Sequence, residues 1–211
     1  SQYGMIMSET YKPYIVGVVH HVNYVDEVLD YLLKLGVKSV GIEASDLQLK
    51  DPRFYDEGTA FFWTRLRAGL DRNGVEVIPL IPKSLAIRLM EFQLQMNIQG
   101  IELRQRGVML EQPVIRSKYA ALAKDTLTRR MESTARIHKP EAMVVGAFHA
   151  PILRQDMRIP KNKYAILSAH PHVIKEIKSN VQGLYDFRKA RLEARLRRLR
   201  EIERKKRAGR N

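Results

Sequence analysis

Residues 14–19 read YIVGVV, an unbroken apolar run rich in β-branched side chains. Such a run is the pattern of a strand covered on both faces. Asn23 then stands at a helix N-cap position, and Asp26 three residues on supplies a capping-box carboxylate. Val25, Val28, Leu29, Leu32 and Leu33 recur at helical spacing, and Gly36 follows as the C′ residue that ends the helix. Residues 37–42, VKSVGI, read as a second strand. The three elements make a βαβ unit of about 30 residues, which requires parallel strands joined by a right-handed crossover.

A second helix is expected over 58–71, with Phe61, Phe62, Trp63, Leu66 and Leu70 on its apolar face. Asn73-Gly74 marks a turn, and residues 75–81, VEVIPLI, form a third strand closed by Pro79 and Pro82. The helical pattern resumes from Ser84 to about Glu111, interrupted near Gly100 and Gly107 and broken by Pro113, and returns over 115–137. Residues 142–148 read as a fourth strand and 163–168 as a fifth, followed by short helical stretches and a charged tail. This alternation predicts an α/β fold with a mostly parallel central sheet flanked by helices. The block between the third and fourth strands is a long helical insertion, expected to pack as a hairpin over one end or face of the sheet. The chain divides into an α/β domain over 1–182 and a basic helical tail over 183–211.

Two of the strands end alike, in Gly17-Val18-Val19-His20 and Gly146-Ala147-Phe148-His149. Both histidines fall at the C-terminal end of a parallel strand, where open α/β sheets hold their ligands. Glu43 takes the same place after the second strand, in Gly41-Ile42-Glu43-Ala44. Taken singly, each histidine also fits a strand-terminal residue satisfied by backbone hydrogen bonds. Together, two imidazoles and a carboxylate at neighbouring strand ends form a ligand set for a divalent metal such as Mn, Co or Zn. Three protein ligands leave room for a water, whose pKa the metal lowers until it is a nucleophile near neutral pH. The glycine ahead of each histidine lets backbone or ligand approach closely. His21, next to His20, points to the opposite side of an extended chain and is read as structural.

Over residues 14–153 these motifs resemble the TraB/PrgY/GumN/Tiki superfamily, with the erythromycin esterase and ChaN-like proteins as more distant relatives. GIEA is similar to that family's Glu-Leu-Asp segment, and VVGAFHAPIL to its second His motif. The stretch from Thr128-Arg129-Arg130 through Ala135 to Ile137 resembles its Glu-Arg-Asp helix. Thr128 and Arg130 stand where the family carries acidic residues, Phe148 replaces a small residue, and Ala44-Ser45 replaces the pair after the acid. The resemblance implies a hydrolase site of His20, Glu43, Arg129 and His149, with Arg129 as an anion or oxyanion clamp. The Tiki branch implies a metal-dependent peptidase, and the esterase branch implies His and Glu working without a metal.

Composition adds two constraints. Of 211 residues, 45% are hydrophobic, enough for a globular core, and the absence of cysteine excludes disulfides, thiolate metal sites and cysteine nucleophiles. No apolar run approaches the roughly 18 residues of a membrane span, and the first residues lack a signal-peptide pattern, so a cytoplasmic protein is expected. The net charge of +14 is uneven: residues 186–211 hold twelve Lys or Arg against four Asp or Glu. That excess, on a sparse stripe of Leu184, Phe187, Leu192, Leu196, Leu199 and Ile202, points to four readings of the tail. It is a solvated surface helix, an arm for nucleic-acid or ribonucleoprotein phosphates, a homodimer contact, or a membrane-surface helix, the last disfavoured because only Tyr185 and Phe187 could anchor at an interface. A non-catalytic RNA- or ribonucleoprotein-binding protein is therefore the alternative to a hydrolase.

Overall fold

The apolar β-branched runs form five short parallel strands: β1 (Tyr14–Val18), β2 (Ser39–Ile42), β3 (Glu76–Pro79), β4 (Ala142–Gly146) and β5 (Tyr164–Ile166). The computed structural model describes residues 11–50, 57–88, 91, 112–167 and 170–208. Among these the strands make one sheet in the order β3-β2-β4-β1-β5. The helices are α1 (Val25–Leu35), α2 (Asp46–Lys50), α3 (Glu57–Arg72), α4 (83–88 among the described residues), α5 (Gln112–His138), α6 (Ala150–Asp156) and α7 (Pro171–Ala208). The expected α/β class with a parallel sheet is what the chain adopts.

The strand order explains the layering. The steps β1→β2 and β2→β3 move one way along the sheet, and β3→β4 and β4→β5 move the other way. Crossovers of one hand then place their helices on opposite faces. Alternate residues of each strand follow suit. Val16, Val18, Val40, Ile42 and Val144 pack with α1 and with Phe62, Trp63, Leu66 and Leu70 of α3. Ile15, Met143 and Val145 pack with Met131 and Ala135 of α5 and with Ala150 and Leu153 of α6. Each fully buried aromatic or aliphatic side chain of α3 contributes on the order of 2 kcal/mol through burial. Phe61, counted on that apolar face in the sequence, is 48% exposed, with the Arg65 guanidinium over its ring.

Two local expectations are corrected. Asn23 does not cap a helix. Residues Val22–Tyr24 form a 3-10 turn whose first cap is His21, which accepts the Asn23 N–H at 3.2 Å, and α1 begins at Val25. Gly36 closes α1 in the left-handed conformation, φ 70°, as a C′ glycine does. Pro113 is the second described residue of α5, and the stretch it was expected to break lies outside the described residues. Residues 89–90 and 92–111 of the expected helical block lie outside the described residues.

The second correction concerns the C-terminus. Short helices followed by a tail are replaced by one 38-residue helix, α7, that runs through the expected boundary at 182/183. Ile177 and Leu184 seat it on the body, and Arg188 locks it there. The Arg188 guanidinium grips both oxygens of Asp156 at 2.9 Å and gives its Nε to Asp125 Oδ1 at 2.7 Å. Burial opposes the Arg188 charge, but its hydrogen bonds to Asp156 and Asp125 outweigh it and hold the group above its ordinary pKa. No described helix is long and apolar enough to cross a membrane.

Candidate active site

The sheet order brings the C-terminal ends of β1, β4 and β2 side by side, with β4 in the middle. His20 follows β1 by two residues, Glu43 follows β2 directly, and His149 follows β4 by three, at the N-terminus of α6. The ladder sets their level. Ile42 is in register with Val144 and Val18 with Gly146, and the Glu43 N–H continues the ladder to the Val144 carbonyl at 3.1 Å. Three side chains from distant parts of the sequence therefore meet above Gly146.

Glu43 is the centre of the group. Its Oε1 lies 3.4 Å from His149 Nε2 and its Oε2 lies 3.7 Å from His20 Nε2. The Gly146 N–H donates to Oε2 at 2.5 Å and fixes the carboxylate in place. A Cβ on Gly146 would stand 3.1 Å from both Glu43 Oε2 and His20 Nε2, so the close approach requires glycine here. Gly17 is equally constrained from the other side, since its Cβ would meet the Ala150 Cβ at 2.8 Å. The expectation that these glycines permit close approach is met at both positions.

The walls orient the two rings. His20 rests on Trp63 and Phe62 of α3, with ring centroids 4.9 and 5.9 Å away. His149 is held by Thr128 of α5, whose Oγ1 lies 2.8 Å from His149 Nδ1. That hydroxyl gives its one proton to the Lys124 carbonyl at 2.7 Å, so toward His149 it acts as acceptor and the ring carries its proton on Nδ1. In the neutral ring Nε2 is then a lone pair facing a carboxylate oxygen. Two acceptors face each other across 3.4 Å, an arrangement suited to taking up a proton. Side-chain exposure is 24% for His20 against 10% for His149 and 9% for Glu43, so His20 is the most solvent-accessible of the three.

Arg129 is not brought to this group. Successive helical residues are turned by about 100°, and Thr128 is the one facing His149. The Arg129 side chain is 63% exposed and pairs through Nε with Asp125 at 3.2 Å. Thr128, Met131 and Ala135 form the buried stripe of α5 at i, i+3, i+7 spacing, and that stripe is the signal that would have picked out Thr128. Phe148, larger than the residue expected before the second histidine, carries the Lys124 ammonium 5.2 Å above its ring. Lys124 also donates to Asn180 of α7 at 2.9 Å, and burial lowers its pKa.

Imidazole and carboxylate are suitable donors for Mn, Co or Zn. As arranged, however, the two Nε2 atoms address different oxygens of Glu43, and one of those oxygens already accepts the Gly146 N–H. Among the described residues no group of three or more His, Asp or Glu is disposed to hold a metal ion. The three side chains form a carboxylate bridge between two imidazoles rather than a ready ligand cage. No family model, curated protein or solved structure matches the chain.

Proposed function

We propose that the chain is a hydrolase of ester, amide or peptide carbonyl groups, acting through His149, Glu43 and His20. The observation that carries this reading is the His149 ring, bonded through Nδ1 to Thr128 and presenting Nε2 to Glu43 at 3.4 Å. His149 takes a proton from water as the water oxygen bonds to the carbonyl carbon. His20 gives a proton to the departing oxygen or nitrogen as its bond to that carbon breaks. Glu43 touches both imidazoles through its two oxygens and returns the proton from one to the other. The reading agrees with the resemblance to the TraB/PrgY/GumN/Tiki superfamily and its esterase relatives, and no step in it runs through a metal.

The test is hydrolysis of a panel of p-nitrophenyl esters, anilides and short peptides, with EDTA and with added Mn, Co or Zn. Glu43→Gln and His149→Ala are each expected to cost about 10²–10⁴ in kcat, while Arg129→Ala stays within about threefold. Wild-type rates in both of the first two variants, or no hydrolysis across the panel, would overturn the reading. Activity confined to the metal-supplemented samples would reassign His20, Glu43 and His149 as metal ligands.

The tail has its own partner. We propose that residues 186–211 meet the phosphates of nucleic acid or a ribonucleoprotein in the cytoplasm. Leu192, Leu196, Leu199 and Ile202 are exposed along α7, yet pairing two copies there would bring two strongly basic helices together. A dimer in sedimentation, persisting at low salt, would favour self-association instead.

A further inference from the structure

Where α7 crosses α5 the two helices enclose a groove of about 800 Å³. Its walls carry six arginines, Arg129 and Arg130 from α5 and Arg188, Arg191, Arg195 and Arg198 from α7. One carboxylate, Asp125, lines it, and that group is already held by Arg188 at 2.7 Å and Arg129 at 3.2 Å. Among the described residues Arg130, Arg195 and Arg198 have no carboxylate partner. A solvated helix face spreads its charges outward. Here guanidinium groups from two helices converge on one open space, which concentrates positive potential there.

The spacing indicates the occupant. Arg188, Arg191, Arg195 and Arg198 follow one another at intervals of three and four along one side of α7, a stripe about 15 Å long at 1.5 Å per residue. A stripe of that length can follow successive phosphates of one nucleic-acid strand. The positive charge does not stop at the groove, because Lys205, Lys206 and Arg207 carry it on toward the helix end. A small anion fills one end of such a track, whereas a polymer uses all of it. We propose that this groove seats the phosphodiester backbone of a nucleic-acid strand, with α5 supplying one wall of the grip. The proposal rests on the nucleic-acid reading of residues 186–211 and adds Arg129 and Arg130, which lie outside that tail.

The experiment is fluorescence anisotropy on the full chain, with labelled single-stranded RNA and DNA of one ~20-nucleotide sequence, across a salt series. The double variant Arg130→Ala/Arg195→Ala removes one charge from each wall. It is expected to weaken binding about tenfold at low salt and to flatten the log–log salt slope by about 1.4. Arg200→Ala/Arg204→Ala removes the same charge from the opposite side of α7, outside the groove, and is expected to cost less than about threefold. RNA and DNA bound alike, or RNA bound more tightly through its 2′-hydroxyls, would each support the groove. Equal losses in the two double variants would overturn it and leave a diffuse basic arm. Failure of the wild-type chain to bind either strand would overturn the nucleic-acid reading as well.

Discussion

Thr128 and His149 meet through a 2.8 Å contact between a hydroxyl and an imidazole nitrogen, and that contact decides which end of the ring is the base. Both groups are buried, so the choice is not left to solvent. Thr128→Val removes the acceptor and leaves Nδ1–H buried without one, at a cost of about 1–3 kcal/mol. The ¹⁵N shifts of the His149 ring should then show loss of the single Nδ1–H tautomer. Thr128→Ser should restore it. An unchanged tautomer in the valine variant would show that something else orients the ring.

Gly146→Ala places a methyl group 3.1 Å from Glu43 Oε2 and His20 Nε2. The expected loss is about 1–3 kcal/mol of stability, seen as a lower urea midpoint. Gly183 offers the contrast: it is exposed within α7, and an added Cβ meets nothing within 4 Å. Gly183→Ala should therefore stabilise the chain by about 0.5–1 kcal/mol.

Arg188→Ala leaves the Asp125 side chain, 5% exposed, with Arg129 as its remaining partner and strips Asp156 of both hydrogen bonds. Breaking a buried pair costs about 3–5 kcal/mol when nothing replaces it. Retention of Arg129 brings the expected loss to about 2 kcal/mol, measured by urea unfolding. Arg198→Ala, an exposed groove residue of the same helix with no carboxylate partner among the described residues, should change stability by less than about 0.5 kcal/mol.

The Tyr11 hydroxyl donates to the Pro140 carbonyl at 2.7 Å, and burial raises its pKa well above the ordinary 10.0. Tyr164 and Tyr185 move the same way, with burial the larger cause in each. The unfolded phenols ionise near pH 10 while the folded ones resist. Their contribution to stability is thus complete below pH 10 and is lost as pH rises toward the folded values. The urea midpoint should fall above pH 10, and Tyr11→Phe should make that fall shallower.

The strands and the meeting of His20, Glu43 and His149 at one sheet edge were legible because each rests on a local pattern. A β-branched apolar run bounded by glycine is a buried strand almost wherever it occurs, and a residue just past a parallel strand must lie at the sheet's C-terminal edge. Which of Thr128, Arg129 and Arg130 faces that edge is a different kind of question. It depends on the rotation of α5, set by Met131 and Ala135 against the sheet. Likeness to a motif pointed to Arg129, and packing selected Thr128. The unbroken length of α7 was hidden for a related reason. Ser179, Asn180 and Gly183 weaken the helix locally, and Ile177, Leu184 and the Arg188 ion pairs hold it across that stretch.

The position of β4 between β1 and β2 bears on how the chain is made. During synthesis the first two strands emerge more than 90 residues ahead of the strand that separates them. Until then each shows a bare hydrogen-bonding edge, an invitation to pair wrongly with each other or with a neighbouring nascent chain. Ribosome-bound intermediates ending before residue 142 should accordingly be protease-sensitive and dependent on chaperones, and protection should arrive late and in one step.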